Sequence, residues 1–191
     1  MPARATPCFC AASTSTVSVP AETVSGNSGG KLTVVDCVTR HFNASGGGGF
    51  TGNGIEIVPS SGATKVSISN TIASDNIVAG IIFRPTASGI VIGVISQTTA
   101  ANNFQGIDIE NSGANASATI VDSVAFNNSS VGIFLSASGA SMRIDSSVIT
   151  GNGTGVSIGF GATASSYGDN KIDGNTVDVG GPGTLAIIAN H

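Results

Sequence analysis

The sequence predicts an all-β chain wound as a right-handed parallel β-helix, a solenoid of about six rungs with a period of roughly 26 residues. Three observations carry this. First, Gly54-Ile55-Glu56-Ile57, Gly80-Ile81-Ile82-Phe83, Gly106-Ile107-Asp108-Ile109 and Gly132-Ile133-Phe134-Leu135 recur every 26 residues, and Gly155-Val156-Ser157-Ile158 follows after 23. Second, the pattern within each unit is alternation, as in Val66-Ser67-Ile68-Ser69, with Ile and Val as its apolar members. Third, charged residues make up only 9% of the chain while glycine numbers 27. Little charge with strong alternation points to stacked sheet rather than disorder. The right hand follows from the crossover rule for parallel strands.

Taken in order, residues 1–30 are rich in Ala, Ser and Thr, fit no rung, and read as an N-terminal tail or incomplete cap. Either they lie across the N-terminal end, or the chain lacks part of a longer helix. The rungs run from 31 to 167. In the first, Leu32 and Val34 supply the apolar pair and Val38 the next core position. A Gly-rich insertion at 43–52, including Gly46-Gly47-Gly48-Gly49, reads as a loop on one side of the solenoid. In the later rungs Ile68, Val94, Ile120 and Ile144 hold the core place ahead of the glycine tetrad, with Val66, Ile92, Ala118 and Met142 as the apolar residues two positions earlier. Ile72, Thr98, Val124 and Val148 come four residues later, and Asn76, Asn102, Asn128 and Asn152 eight residues later. The asparagines are expected at bends, where Asn tolerates positive φ, and stacked as a side-chain amide ladder. Segment 168–191 is expected to close the C-terminal end, because solenoid ends expose unpaired backbone.

Composition excludes several functions. Net charge is −4 with only seven Lys and Arg, which argues against a nucleic-acid partner. No apolar run reaches the length of a membrane-spanning helix. Cys8, Cys10 and Cys37 do not form a disulfide framework, and Cys37 is expected as a buried thiol. Cys8-Phe9-Cys10 has the wrong spacing for zinc, so no metal and no cofactor is implied. No secretory signal is visible in residues 1–30.

Candidate chemistry comes from the outward positions of the glycine-tetrad strand. One row is Glu56, Ile82, Asp108, Phe134 and Ser157; the next is Val58, Arg84, Glu110, Ser136 and Gly159. Glu56, Arg84, Asp108 and Glu110 thus gather on one patch beside Ile82 and Phe134. Two carboxylates so placed can act as acid and base on a glycosidic bond, with arginine holding a uronate and phenylalanine stacking on a sugar. The plainer reading is a solvated charge pair. A second outward row, Val35, Ser69, Ile95, Val121 and Asp145, is largely apolar and suits packing against another chain.

Ile120 through Asn128 and on to Gly132-Ile133 resembles the repeat of right-handed parallel β-helix proteins, the pectate-lyase-like group. Ser166 through Asn175 resembles the ending of bacterial β-helix repeat proteins of soil and rhizobial species. The resemblance implies an extracellular or cell-envelope setting and contact with polysaccharide. The expectation is a non-enzymatic scaffold or surface protein, with polysaccharide binding along a sheet face as part of that expectation. The alternative is a polysaccharide lyase or glycoside hydrolase using Asp108, Glu110, Glu56 and Arg84, with Phe134 and Ile82 as binding residues. Self-association through a sheet face or the N-terminal end is a further expectation.

Overall fold

The computed structural model of the chain describes residues 9–13, 17–18, 24–26, 30–42, 52–112 and 114–189. Cys8, His191 and the expected glycine insertion, apart from Gly52, lie outside them. The N-terminal part contributes β1 (Phe9–Ser13), β2 (Val17–Ser18) and β3 (Val24–Gly26). Regular triplets then follow: β4 (Gly30–Val35), β5 (Val38–Arg40) and β6 (Ile55–Ile57), then β7 (Ala63–Ser69), β8 (Ile72–Ser74) and β9 (Ala79–Phe83). Next come β10 (Ile90–Ser96), β11 (Thr99–Ala101) and β12 (Gln105–Ile109), followed by β13 (Ala116–Val121), β14 (Val124–Phe126) and β15 (Val131–Leu135). The series ends with β16 (Ala140–Asp145), β17 (Val148–Thr150) and β18 (Thr154–Ile158), then a shorter set, β19 (Thr163–Tyr167), β20 (Lys171–Ile172), β21 (Val177–Gly180) and β22 (Leu185–Ile188).

The chain is a parallel β-solenoid of about five turns at roughly 25 residues each. The regular triplets account for these turns, and the shorter set after Ile158 continues in register, so the six rungs expected compare with five regular ones and a reduced one. Every third strand pairs with its equivalent, giving three sheets. The long-strand sheet runs β1-β4-β7-β10-β13-β16-β19-β22, the short-strand sheet β20-β17-β14-β11-β8-β5, and the glycine sheet β2-β3-β6-β9-β12-β15-β18-β21. From β3 onward the pairing is parallel throughout. At the N-terminal end β1 runs antiparallel to β4, and β2 antiparallel to β3. Two of the three sheets therefore begin with an antiparallel strand, from residues that fit no rung.

The core is built from columns of inward side chains. Ile57, Phe83, Ile109, Leu135 and Ile158 form one on the glycine sheet. Val34, Ile68, Ile95, Ile120 and Ile144 form one on the long-strand sheet. The latter corrects the expected register: Ile95, not Val94, is the buried member, and Val94 and Ile92 face solvent. The outward row consequently contains Ser96 in place of Ile95. On the short-strand sheet the inward residues are Thr39, Ala73, Ala100, Ala125 and Ile149, so Val38 and Ile72 lie outside the core. Thr98 is buried as a polar residue: it belongs, with Ser123 and Ser147, to a column of corner hydroxyls. The Thr98 amide donates to Ser123 Oγ and the Ser123 amide to Ser147 Oγ.

A second polar column fills the opposite corner, and it too corrects the expected register. Nδ2 of Asn76 donates to Oδ1 of Asn103, Asn103 to Asn128, Asn128 to Asn152 and Asn152 to Asn175, at 2.9–3.1 Å. Each acceptor oxygen also takes the backbone N–H of the preceding asparagine. Asn102 is not a member. It stands one residue earlier, at φ 58°, above Asp75 at 58° and Asn127 at 52°. Two tasks expected of one asparagine are thus divided between neighbours. The left-handed residue makes the bend, and the next one satisfies buried backbone.

Each tetrad glycine closes the same corner. A Cβ at Gly54 would lie 2.6 Å from the Gly80 carbonyl oxygen and 2.9 Å from Nδ2 of Asn76; at Gly80 it would lie 2.8 Å from Nδ2 of Asn103. The glycine is present because the amide of the following turn occupies the space a side chain would need.

Cys37 is buried, as expected, but it is disulfide-bonded and not a free thiol. The side chains of Cys8 and Cys10 lie outside the described ones. Among the described residues no helix is long and apolar enough to cross a membrane.

Candidate functional site

The outward rows of the glycine sheet fall where the repeat places them. Glu56, Ile82, Asp108, Phe134 and Ser157 are successive partners on β6, β9, β12, β15 and β18. Arg84 and Glu110 sit just beyond β9 and β12, joined through the Glu110 N–H to the Phe83 carbonyl. Arg84 Nε donates to Glu110 Oε2 at 2.6 Å and Nη2 to Oε1 at 3.4 Å, a two-pronged grip. Arg84 Nη1 lies 3.8 Å from Glu56 Oε1. The four charges expected to gather do gather.

Their exposure is the surprise. Asp108 is 1% exposed, Glu56 4% and Ile82 0%. The patch is not a solvated face, and Ile82 offers no surface platform to a ligand. Phe134 is half-buried. Asp108 is flanked in its row by Ile82 and Phe134, and its carboxyl lies close to that of Glu110. An ionised carboxylate is costly in such a place. Burial, reinforced by the charge of Glu110 and opposed by Arg84, pushes the Asp108 pKa up to about 8. Burial also raises Glu56, against the pull of Arg84. Asp108 therefore holds a proton at neutral pH, beside an arginine gripped by Glu110. Among the described residues no group of three His, Cys, Asp or Glu side chains is placed to hold a metal ion.

The second feature escapes the sequence-based register. A trough of about 310 Å³ runs across the outer face of β10, β13, β16 and β19. Its floor carries Ile92 and Val94, about half exposed, with Ser117, Thr119, Ser141, Arg143 and Ser165 along the same columns. Adjacent strands repeat every ~4.8 Å. Placing Ile92 and Val94 inward hides this face; the signal that finds it is the pair Gly93 and Ile95, which restores alternation with Val91. No known protein family, curated protein or solved structure matches the chain, so both features stand on their own geometry.

Proposed function

We propose that this protein is a non-enzymatic β-solenoid that binds an extended polysaccharide along the outer face of the long-strand sheet. The observation that carries this reading is the open trough crossing four strands, with apolar side chains to meet sugar faces and hydroxyls to meet sugar hydroxyls. The burial of Asp108 and Glu56 speaks against catalysis on a polymer, because both side chains are almost wholly withdrawn from solvent. An extracellular or cell-envelope setting belongs to the same reading and is supported by the disulfide at Cys37, since such bonds persist in oxidising compartments. So do the right hand and kinship with pectate-lyase-like bacterial solenoids, supported by the crossover rule and the rung pattern.

A second reading has one observation in its favour. Asp108, protonated near neutral pH beside Glu110 and Arg84, has the ionisation a glycosidic general acid needs. A glycan array combined with a uronate-release assay separates the two, using wild type and Asp108→Ala. The scaffold reading expects binding by both proteins and turnover by neither. Turnover by the wild type that disappears in Asp108→Ala would overturn it in favour of the enzyme.

A further inference from the structure

The cations of this acidic chain are unevenly placed. Lys31 and Lys65 are register partners on β4 and β7, and Arg143 projects from the same outer face on β16. All three are exposed, and among the described residues none makes an ion pair. The two outward columns that hold them, from Lys31 to Thr163 and from Thr33 to Ser165, contain no Asp or Glu. Asp145 stands in the next column, toward the corner. A protein of net charge −4 thus presents one face whose two central columns carry positive charge and no negative charge.

We propose that this face takes a linear polysaccharide bearing carboxylate or sulfate groups, lying across the strands, with Lys31, Lys65 and Arg143 as its anion-reading residues. The inference rests on the polysaccharide reading above and adds the chemical class of the polymer. Lys31 and Lys65 are one strand apart and Lys65 and Arg143 three, so the cations span roughly 19 Å at ~4.8 Å per strand. That spacing suits a polymer with charges separated by whole sugar units. Duplex DNA carries one charge per ~1.7 Å and is bound by many more cations. Ile92 and Val94, between Lys65 and Arg143, give ring faces an apolar floor where the charges leave a gap.

The test uses one extended backbone in three forms: hydroxyethyl cellulose, carboxymethyl cellulose and cellulose sulfate, with duplex DNA as a fourth probe, read by affinity electrophoresis of the full chain. At least one charged form is expected to bind ten-fold or more tighter than the hydroxyethyl form, with affinity falling as salt rises. Lys65→Glu with Arg143→Glu is expected to remove that advantage while the melting temperature stays unchanged. The Gln pair at the same positions, expected to weaken charged binding less, serves if the Glu pair disturbs folding. Which charged form binds identifies carboxylate or sulfate as the group read. Equal binding of all three cellulose forms overturns the anionic assignment and leaves the polysaccharide reading standing. Binding of none overturns both, and preference for DNA overturns the choice of polymer.

Discussion

At the scale of single residues, two adjacent asparagines separate shape from satisfaction. Asn103→Ala removes the acceptor used by the N–H and Nδ2 of Asn76, and leaves the Ala73 carbonyl without its donor. Buried groups left unpaired cost about 1–3 kcal/mol each, so the loss should reach about 3 kcal/mol in urea unfolding. Asn102→Gly keeps the left-handed bend and should stay within about 1 kcal/mol of wild type. Equal losses would show that Asn102 carries the buried bonds after all. Asp108 gives a prediction in pH. Its folded pKa, about 8, stands above the ordinary 3.8, so the folded chain keeps a proton that the unfolded chain releases. Its contribution to stability is complete below about pH 4 and is lost as pH rises toward 8. Asp108→Asn, which cannot ionise, should therefore melt higher than wild type at pH 8 by several degrees, with the gap closing toward pH 4. A gap that stays constant across that range would mean Asp108 is already ionised in the fold.

At the scale of strands, core volume is traded between sheets. Gly93 occupies the inward column of Leu32, Val66, Ala118 and Met142, where every other member has a side chain. Across from it Phe83 stands in a column otherwise filled by Ile and Leu. A Cβ on Gly93 would run into the Phe83 ring. Gly93→Val alone should destabilise by about 1–3 kcal/mol through overpacking. Combined with Phe83→Ile it should recover most of that loss, and a double mutant no better than the single would show that the clash lies elsewhere. This pair also explains which part of the strand register the sequence conveys. The glycine spacing of 26 locates β6, β9, β12 and β15 without error, and with them the rows holding Glu56, Asp108, Arg84 and Glu110. It misplaces β10 by one residue, because the link from buried asparagine to glycine alternates in length: Asn76 to Gly80 and Asn128 to Gly132 take four steps, Asn103 to Gly106 and Asn152 to Gly155 take three. A uniform period averages over that alternation, and in an alternating strand a single step exchanges inside for outside. The burial of the acidic cluster is not legible for another reason. Periodicity states which way a side chain points from its own sheet, and says nothing of what lies beyond it.

At the scale of the whole molecule, each turn leans only on its neighbours, so damage should remain local. The disulfide at Cys37 lies between β4 and β5, in the first regular turn. Loss of a native disulfide costs a small domain about 2–5 kcal/mol. Under reduction, hydrogen exchange should therefore quicken first in β4, β5 and β7 and last in β16 to β18. Uniform acceleration along the chain would argue for one all-or-none unit. The antiparallel strands β1 and β2 guard the same end, where a bare row of parallel-strand backbone would invite another chain.

The corner shared by a glycine and the asparagine of the next coil has an evolutionary corollary. Neither can be gained singly: a methyl at Gly106 would meet Nδ2 of Asn128, and an asparagine without its glycine has no room. Lengthening or shortening such a protein by a few residues breaks a partnership, whereas copying or excising one complete coil, cut at equivalent points, hands each amide a fresh glycine. Genes built on this arrangement are expected to change length in quanta of one coil.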